Sequence, residues 1–170
     1  IESDEYDIND MGFLYQNNEI NTEMNLSYEV FSEDENLSKR LNIKNGKLSL
    51  GLEHKSLYKP LSYNEIIIKI GGQIVNKKHL FMRLLLRCFF EENDYFEART
   101  NNQVFVRPPS AKISYFTSSN FNKPISLNTS ISYKYRISEG YSMWDKYNND
   151  LLYMRINPRF RINNHAFLQY

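Results

Sequence analysis

The side chains best equipped for chemistry in this chain are basic, and they recur at every second position of strand-like segments. Arg83 and Arg87 share one parity in residues 80–90, Lys134 and Arg136 in residues 125–137, and Arg155, Arg159 and Arg161 in residues 152–162. Successive side chains of an extended segment alternate between faces, so each set lies on one side of its strand. Lys47, Lys55, Lys69 and Lys112 fall on the same side of neighbouring segments, against only Glu23, Glu29 and Glu53. Such a basic wall attracts anions and biases a water-filled passage toward them, unless acids from elsewhere in the molecule neutralise it.

Other candidates are weaker. The stretch 93–110 carries Asp94, Glu97, Arg99 and Arg107, with Pro108 and Pro109 as stiffeners. It suits either a ligand-contacting loop or a latch held by internal ion pairs of Glu97 and Arg99. Asp4, Glu5, Asp7 and Asp10 offer oxygen donors for Ca²⁺, but they lack the glycine and the closing glutamate of an EF-hand loop, so no metal site is expected. His54, His79 and His165 lie far apart, and neither a nucleophile elbow nor HExxH nor a phosphate loop occurs. No catalytic residue and no cofactor are expected. The single Cys88 has no partner for an intrachain disulfide.

The elements that position these groups are legible as period-2 alternation. In residues 20–31, Ile20, Met24, Leu26, Tyr28 and Val30 oppose Asn21, Glu23, Asn25, Ser27 and Glu29. Residues 125–137 set Ile125, Leu127, Ile131, Tyr133, Tyr135 and Ile137 against Ser126, Asn128, Ser130, Ser132, Lys134 and Arg136. Weaker copies occupy 47–58, 65–75 and 111–118, with a last one begun at 166–170; in residues 80–90 Arg83 and Arg87 would share a face in a helix as well, but the unbroken apolar positions Leu80, Met82, Leu84, Leu86, Cys88 and Phe90 fit a strand. The 13 Tyr and 11 Phe against 6 Gly and 5 Pro favour pleated strands. Asn45-Gly46 reads as a bulge or small turn, and Pro158 as an edge, a bulge or a strand end.

A net charge of +1 provides no basic field for nucleic acid, and no apolar run is long enough for a membrane helix. A soluble sandwich and a membrane barrel both alternate. The clear strands nevertheless run 11 to 13 residues, close to the about 9 to 11 that cross a bilayer and longer than the mean soluble strand of about 5 to 6. Connections at 33–38, 76–79, 119–124 and 163–165 read as short, whereas those before residue 19 and at 59–64, 93–110 and 138–149 read as mostly longer. Short turns at one end and long loops at the other are the outer-membrane pattern.

Several motifs carry a family resemblance. Tyr6-Asp7-Ile8-Asn9-Asp10-Met11-Gly12-Phe13-Leu14 with Asn18-Glu19, Leu57-Tyr58-Lys59-Pro60, Asp94-Tyr95-Phe96-Glu97-Ala98-Arg99, Arg107-Pro108-Pro109-Ser110 and Asn157-Pro158-Arg159-Phe160-Arg161 occur in order along nearly the whole chain. Together they resemble an uncharacterised outer-membrane barrel domain common in Bacteroidota. That family's barrel usually follows an N-terminal domain similar to family-nine carbohydrate-binding modules, which this sequence lacks. The chain departs from the pattern at Asn101-Asn102-Gln103, in place of a Gly-Arg pair, and at Ser118-Ser119-Asn120-Phe121-Asn122, in place of a more charged turn.

The expectation is an all-β, antiparallel up-and-down transmembrane β-barrel, in which residues 1–170 form one domain fragment of about eight strands within a larger barrel. The resemblance implies a bacterial outer-membrane location and lipid contact. A pore or transport role is expected, with an oligosaccharide ligand suggested by that family's N-terminal domain or an anionic one suggested by the basic wall. A non-conducting scaffold for periplasmic or surface proteins and a soluble β-sheet binding protein are the alternatives, and nucleic acid is not an expected partner.

Overall fold

The computed structural model describes residues 18–31, 42–95, 104–137, 150–162 and 166–169. They hold ten strands and no helix: β1 (Glu19–Phe31), β2 (Ile43–Leu57), β3 (Ser62–Asn76), β4 (Phe81–Phe89), β5 (Glu92–Asp94), β6 (Phe105–Arg107), β7 (Ser110–Ser118), β8 (Ile125–Arg136), β9 (Leu151–Arg161) and β10 (Phe167–Gln169). Eight of them form one antiparallel sheet in the order β1-β2-β3-β4-β7-β8-β9-β10, while β5 and β6 pair separately. The connectivity is that of an up-and-down meander. The sheet is open, because no pairing joins β1 to β10 among the described residues.

Register turns the alternation of each strand into two continuous faces. Leu26, Leu50, Ile70, Leu86, Ile113, Tyr133 and Leu152 form one apolar row across seven strands. One residue along, Ser27, Ser49, Gly71, Leu85, Ser114, Ser132 and Tyr153 form a mostly polar row on the other face. A one-residue slip of any strand would exchange its two faces, so the apolar row fixes the pairing of the whole sheet.

Over the central strands β3, β7 and β8 the burial of the two faces is inverted relative to a water-soluble sandwich, where the apolar side is the covered one, whereas on β1 both faces are exposed. Met24 is 68 % exposed, Leu48 65 %, Ile156 57 % and Leu84 51 %. On the polar face Glu65 is only 7 % exposed. Leu57 and Ile67 are the buried hydrophobic residues among the described ones, and both sit on the polar face, in register with Glu19 and Glu53.

Two glycines show how crowded that polar face is. A Cβ at Gly51 would lie 2.7 Å from Asn25 Oδ1, and one at Gly71 would lie 2.7 Å from Ser49 Oγ. Both positions are left without a side chain because neighbours from adjacent strands lean across them.

Local irregularities have simple causes. The register of β2 with β3 shifts between Ile43 and Asn45, and Lys44 is the extra residue of a bulge. This bulge accounts for the parity change around Asn45-Gly46, a dipeptide that is paired strand and not a turn. A second bulge at Asn64 shifts the register between Lys55 and Ser56.

Pro158 lies inside β9 opposite Leu127. The Leu127 carbonyl accepts from Ser119 N–H at 2.9 Å, and its N–H donates to Ser119 Oγ at 2.7 Å. Leu127 therefore directs both backbone groups toward β7, and the ring nitrogen of Pro158 faces away from β8, where no ladder bond is lost.

Loop lengths depart from the expected alternation. The β2–β3 connection, expected to be long, is the four residues Tyr58, Lys59, Pro60 and Leu61, and the connection expected to be short at 33–38 lies outside the described residues. Strands β2 and β3 are each 15 residues long, and their pairing runs on to Leu57 and Ser62, consuming residues that composition assigned to loop. The turn at 77–80 is short as expected: Asn76 Oδ1 accepts from Lys78 N–H and Leu80 N–H, both at 2.9 Å, and His79 takes a left-handed φ of 61°.

Candidate functional site

The polar face divides by charge. On β1–β3 every lysine that the sequence placed on a basic wall has a cross-strand acid. Lys47 Nζ lies 2.7 Å from Glu29 Oε1, Lys69 Nζ 2.6 Å from Glu53 Oε2 and 3.3 Å from Glu23 Oε1, and Lys55 Nζ 3.7 Å from Glu53 and 3.6 Å from Glu65. This part of the wall is an ion-pair network of three lysines and four glutamates and not a basic surface. Its acids come from the same sheet.

On β4, β7, β8 and β9 the same face is basic. Lys69, Arg87, Lys112 and Lys134 are successive register partners on β3, β4, β7 and β8, a row of like charges at the about 4.8 Å spacing of paired strands. Arg83 pairs in register with Gln73 and Phe116. The Lys134 ammonium sits 5.0 Å from the centre of the Phe89 ring.

Further along, the Arg159 guanidinium lies 5.6 Å from the Phe121 ring. Arg161 donates to the carbonyl of Asn122 through Nη1 at 3.4 Å, and Arg155 Nε donates to Asn157 Oδ1 at 3.2 Å. Arg136 lines a recess of about 40 Å³ with Lys134, Glu65, Glu92 and Arg107.

The stretch after β4 contains two short strands where a loop was expected. β5 and β6 pair from Glu92–Arg107 to Asp94–Phe105. The Arg107 guanidinium bridges both carboxylates of β5, at 2.9 Å from Glu92 Oε1 and 2.7 Å from Asp94 Oδ2, and Asp94 is buried. Tyr95 Oη donates to the Tyr63 carbonyl at 3.0 Å, and Tyr63 Oη donates to the Glu91 carbonyl at 2.6 Å. The hairpin is thereby latched to the start of β3. Asp94 and Arg107 are brought together as ion partners, whereas Glu97 and Arg99, the pair expected to make the latch, lie outside the described residues, as do Asp7 and Asp10.

Asn18 and Glu19 act at the junction of β1 with β2 and β3. Asn18 has a φ of 59°. Its side-chain carbonyl accepts from Lys59 N–H at 2.9 Å, its amide donates to the Lys59 carbonyl, and its own carbonyl accepts from Tyr58 N–H at 2.9 Å. Glu19 Oε1 accepts from Asn64 Nδ2 at 3.5 Å. The motif clamps a strand end.

Two hollows complete the surface. On the apolar face a depression of about 540 Å³ opens where Gly46 and Gly72 carry no side chain, walled by Tyr28, Leu48, Leu84 and Tyr115. On the polar face a cleft of about 280 Å³ is lined by Phe116, Asn128, Tyr153 and Arg155. Sequence reasoning singled out Arg155 but missed Phe116 and Tyr153, whose signal is an aromatic residue at polar parity.

Among the described residues no group of three or more His, Cys, Asp and Glu side chains converges on a metal position, and no helix is long and apolar enough to cross a membrane. The chemistry that the geometry supports is electrostatic: a row of fixed cations on one half of a face whose other half pairs its lysines with glutamates.

A family model described as a domain of unknown function, DUF5916, matches residues 1–170. No curated protein matches the chain, and no solved structure matches it.

Proposed function

The chain belongs to this family of domains of unknown function, and from that premise we propose that it forms part of the wall of an outer-membrane β-barrel of pore or transport type. Its apolar face would meet lipid and its polar face an aqueous interior. The observation that carries this reading is the inverted burial of the two faces, with Met24, Leu48, Leu84 and Ile156 exposed on one side and Glu53 and Glu65 shielded on the other. A water-soluble protein seldom exposes a contiguous apolar patch larger than about 300–600 Å². Here one apolar row crosses seven strands, about 29 Å at 4.8 Å per strand.

The height of the band agrees. Ile20 to Val30 spans ten residue steps, about 34 Å at 3.4 Å each, which a strand tilt near 40° projects to about 26 Å along a membrane normal, against the about 25 Å band of such barrels. An open eight-stranded sheet exposes two edges, and closure would require further strands beside β1 and β10. An oligosaccharide is a reasonable cargo because Phe116 and Tyr153 place aromatic rings beside the amide of Asn128 and the guanidinium of Arg155.

Conductance in planar bilayers tests the reading. Stable channels from detergent-purified protein support a pore. A membrane-inserted protein without conductance supports the second reading, a scaffold for periplasmic or surface partners, which the β5–β6 latch over one end of the polar face favours. Purification of the folded protein without detergent would overturn both and leave a soluble binding protein.

A further inference from the structure

The charge on the polar face is segregated more sharply than its composition suggests. Strands β4, β7, β8 and β9 together carry eight Lys and Arg residues and no Asp or Glu. The ion pairs of Lys47, Lys55 and Lys69 instead lie on β1–β3. At the border, Arg87 and Lys112 face each other directly across β4 and β7. Lys69 flanks them with its charge already taken by Glu53, and Lys134 follows on the far side.

Like charges directly opposite one another on paired strands destabilise a sheet. Relief would ordinarily come from an interleaved acid, as it does at Lys55 and Lys69. Neither Arg87 nor Lys112 has a carboxylate partner among the described residues, and Arg87 Nε is buried without a hydrogen-bond acceptor. A buried guanidinium N–H without an acceptor is costly to leave unmade. The row therefore retains an unmet demand for acceptor oxygens at a fixed place and spacing.

We infer that Arg87, Lys112 and Lys134 form a binding ladder for a linear ligand bearing two or more anionic groups, carboxylate or phosphate, spaced about 5 Å apart. The three positions span two strand intervals, about 10 Å. Each cation takes one anionic group, and the like-charge repulsion between Arg87 and Lys112 is relieved. Neutral ligands and isolated monovalent anions leave most of the row unmatched. Glu65 and Glu92, which share the recess with Lys134, close the ladder at that end and set the direction in which a longer ligand extends, toward Lys112 and Arg87. The inference rests on reading this face as the aqueous side of the wall.

The test is calorimetric titration of the full chain in neutral detergent with two probes, tripolyphosphate and an oligogalacturonate, and with the methyl-esterified oligosaccharide as the uncharged control. One or both anions should bind, weaken as salt rises, and lose about tenfold in affinity for each of Arg87→Gln and Lys112→Gln, the loss of one charge-assisted contact. Lys47→Gln, which removes a cation already paired with Glu29, should leave binding unchanged. Which probe binds distinguishes a phosphate from a carboxylate ligand. Absence of binding by both probes, equal losses for Lys47→Gln and Lys112→Gln, or full binding by the Arg87→Gln, Lys112→Gln double variant would overturn the ladder. Such a result with Leu84 still in contact with lipid would leave the barrel reading intact.

Discussion

Arg87 and Lys112 stand directly opposite one another on β4 and β7, on the same face as Glu53 and Lys69, which meet at 2.6 Å. One sheet thus holds a satisfied charge pair and an unsatisfied like-charge pair two strands apart. The opposite side of β4 carries Leu84 and Leu86 in register with Tyr115 and Ile113, so a single strand separates the apolar face from the charged one by one residue step. Predictions about β4 can therefore be made in pairs.

Leu84→Arg places a charge on the apolar face, 51 % exposed in this sheet. Near the middle of a bilayer it should destabilise the inserted protein by about 2–4 kcal/mol. Arg87→Gln should be tolerated or slightly stabilising, since it relieves repulsion from Lys112. Urea titration of protein folded into lipid vesicles measures both, and equal sensitivity at the two positions would reverse the facing assignment.

Gly71→Leu forces a side chain into space held by Ser49 Oγ at 2.7 Å and Leu85 Cδ1 at 3.4 Å. Overpacking of this kind destabilises by about 1–3 kcal/mol. The same titration should show the loss, and Ser49→Gly in the Gly71→Leu background should recover part of it.

Arg107→Ala removes the bridge to Glu92 and Asp94. With Asp94 buried, the local cost should be about 1–3 kcal/mol, confined to the β5–β6 hairpin. Hydrogen exchange should accelerate at Glu92–Asp94 and Phe105–Arg107 while the β2–β3 ladder keeps its protection. Uniform acceleration would show that the hairpin supports the whole sheet.

Asn18→Gly keeps the left-handed backbone but deletes the clamp on Lys59, whereas Asn18→Ala also strains a φ of 59°. Both should lower stability, by about 1 kcal/mol for the lost hydrogen bonds, and Ala should be the worse of the two. A Gly variant as stable as the parent would mean that the clamp contributes nothing.

Most of the sheet was legible in the sequence because period 2 is a local signal: Ile20 to Val30 and Ile125 to Arg136 alternate with one break each, at Thr22 and Thr129, and both are strands. The reach of β2 and β3 was not, because the ends of a ladder are set by the partner strand and not by composition, as the pairing of Leu57 with Ser62 shows. The bulge at Lys44 was half visible, through the parity change at Asn45-Gly46. Placing the basic residues on one face followed from parity alone, whereas the neutralisation of Lys47, Lys55 and Lys69 depended on which strands lie side by side. The Arg107–Asp94 bridge was hidden for a similar reason, since two charged residues within one irregular stretch do not reveal that the stretch folds back on itself.

Fluorescence quenching by lipids with brominated chains tests the central claim most directly. Single tryptophans are introduced at Leu26, Leu84 and Met154 on one face and at Ser114 and Ser132 on the other, in a Trp144→Phe background, and the protein is reconstituted into vesicles. Strong quenching at the first three positions and little at the last two is the predicted result. Quenching that fails to distinguish Leu84 from Ser114, or that favours Ser114, would contradict the assignment of the apolar face to lipid and with it the account of the molecule as a barrel wall.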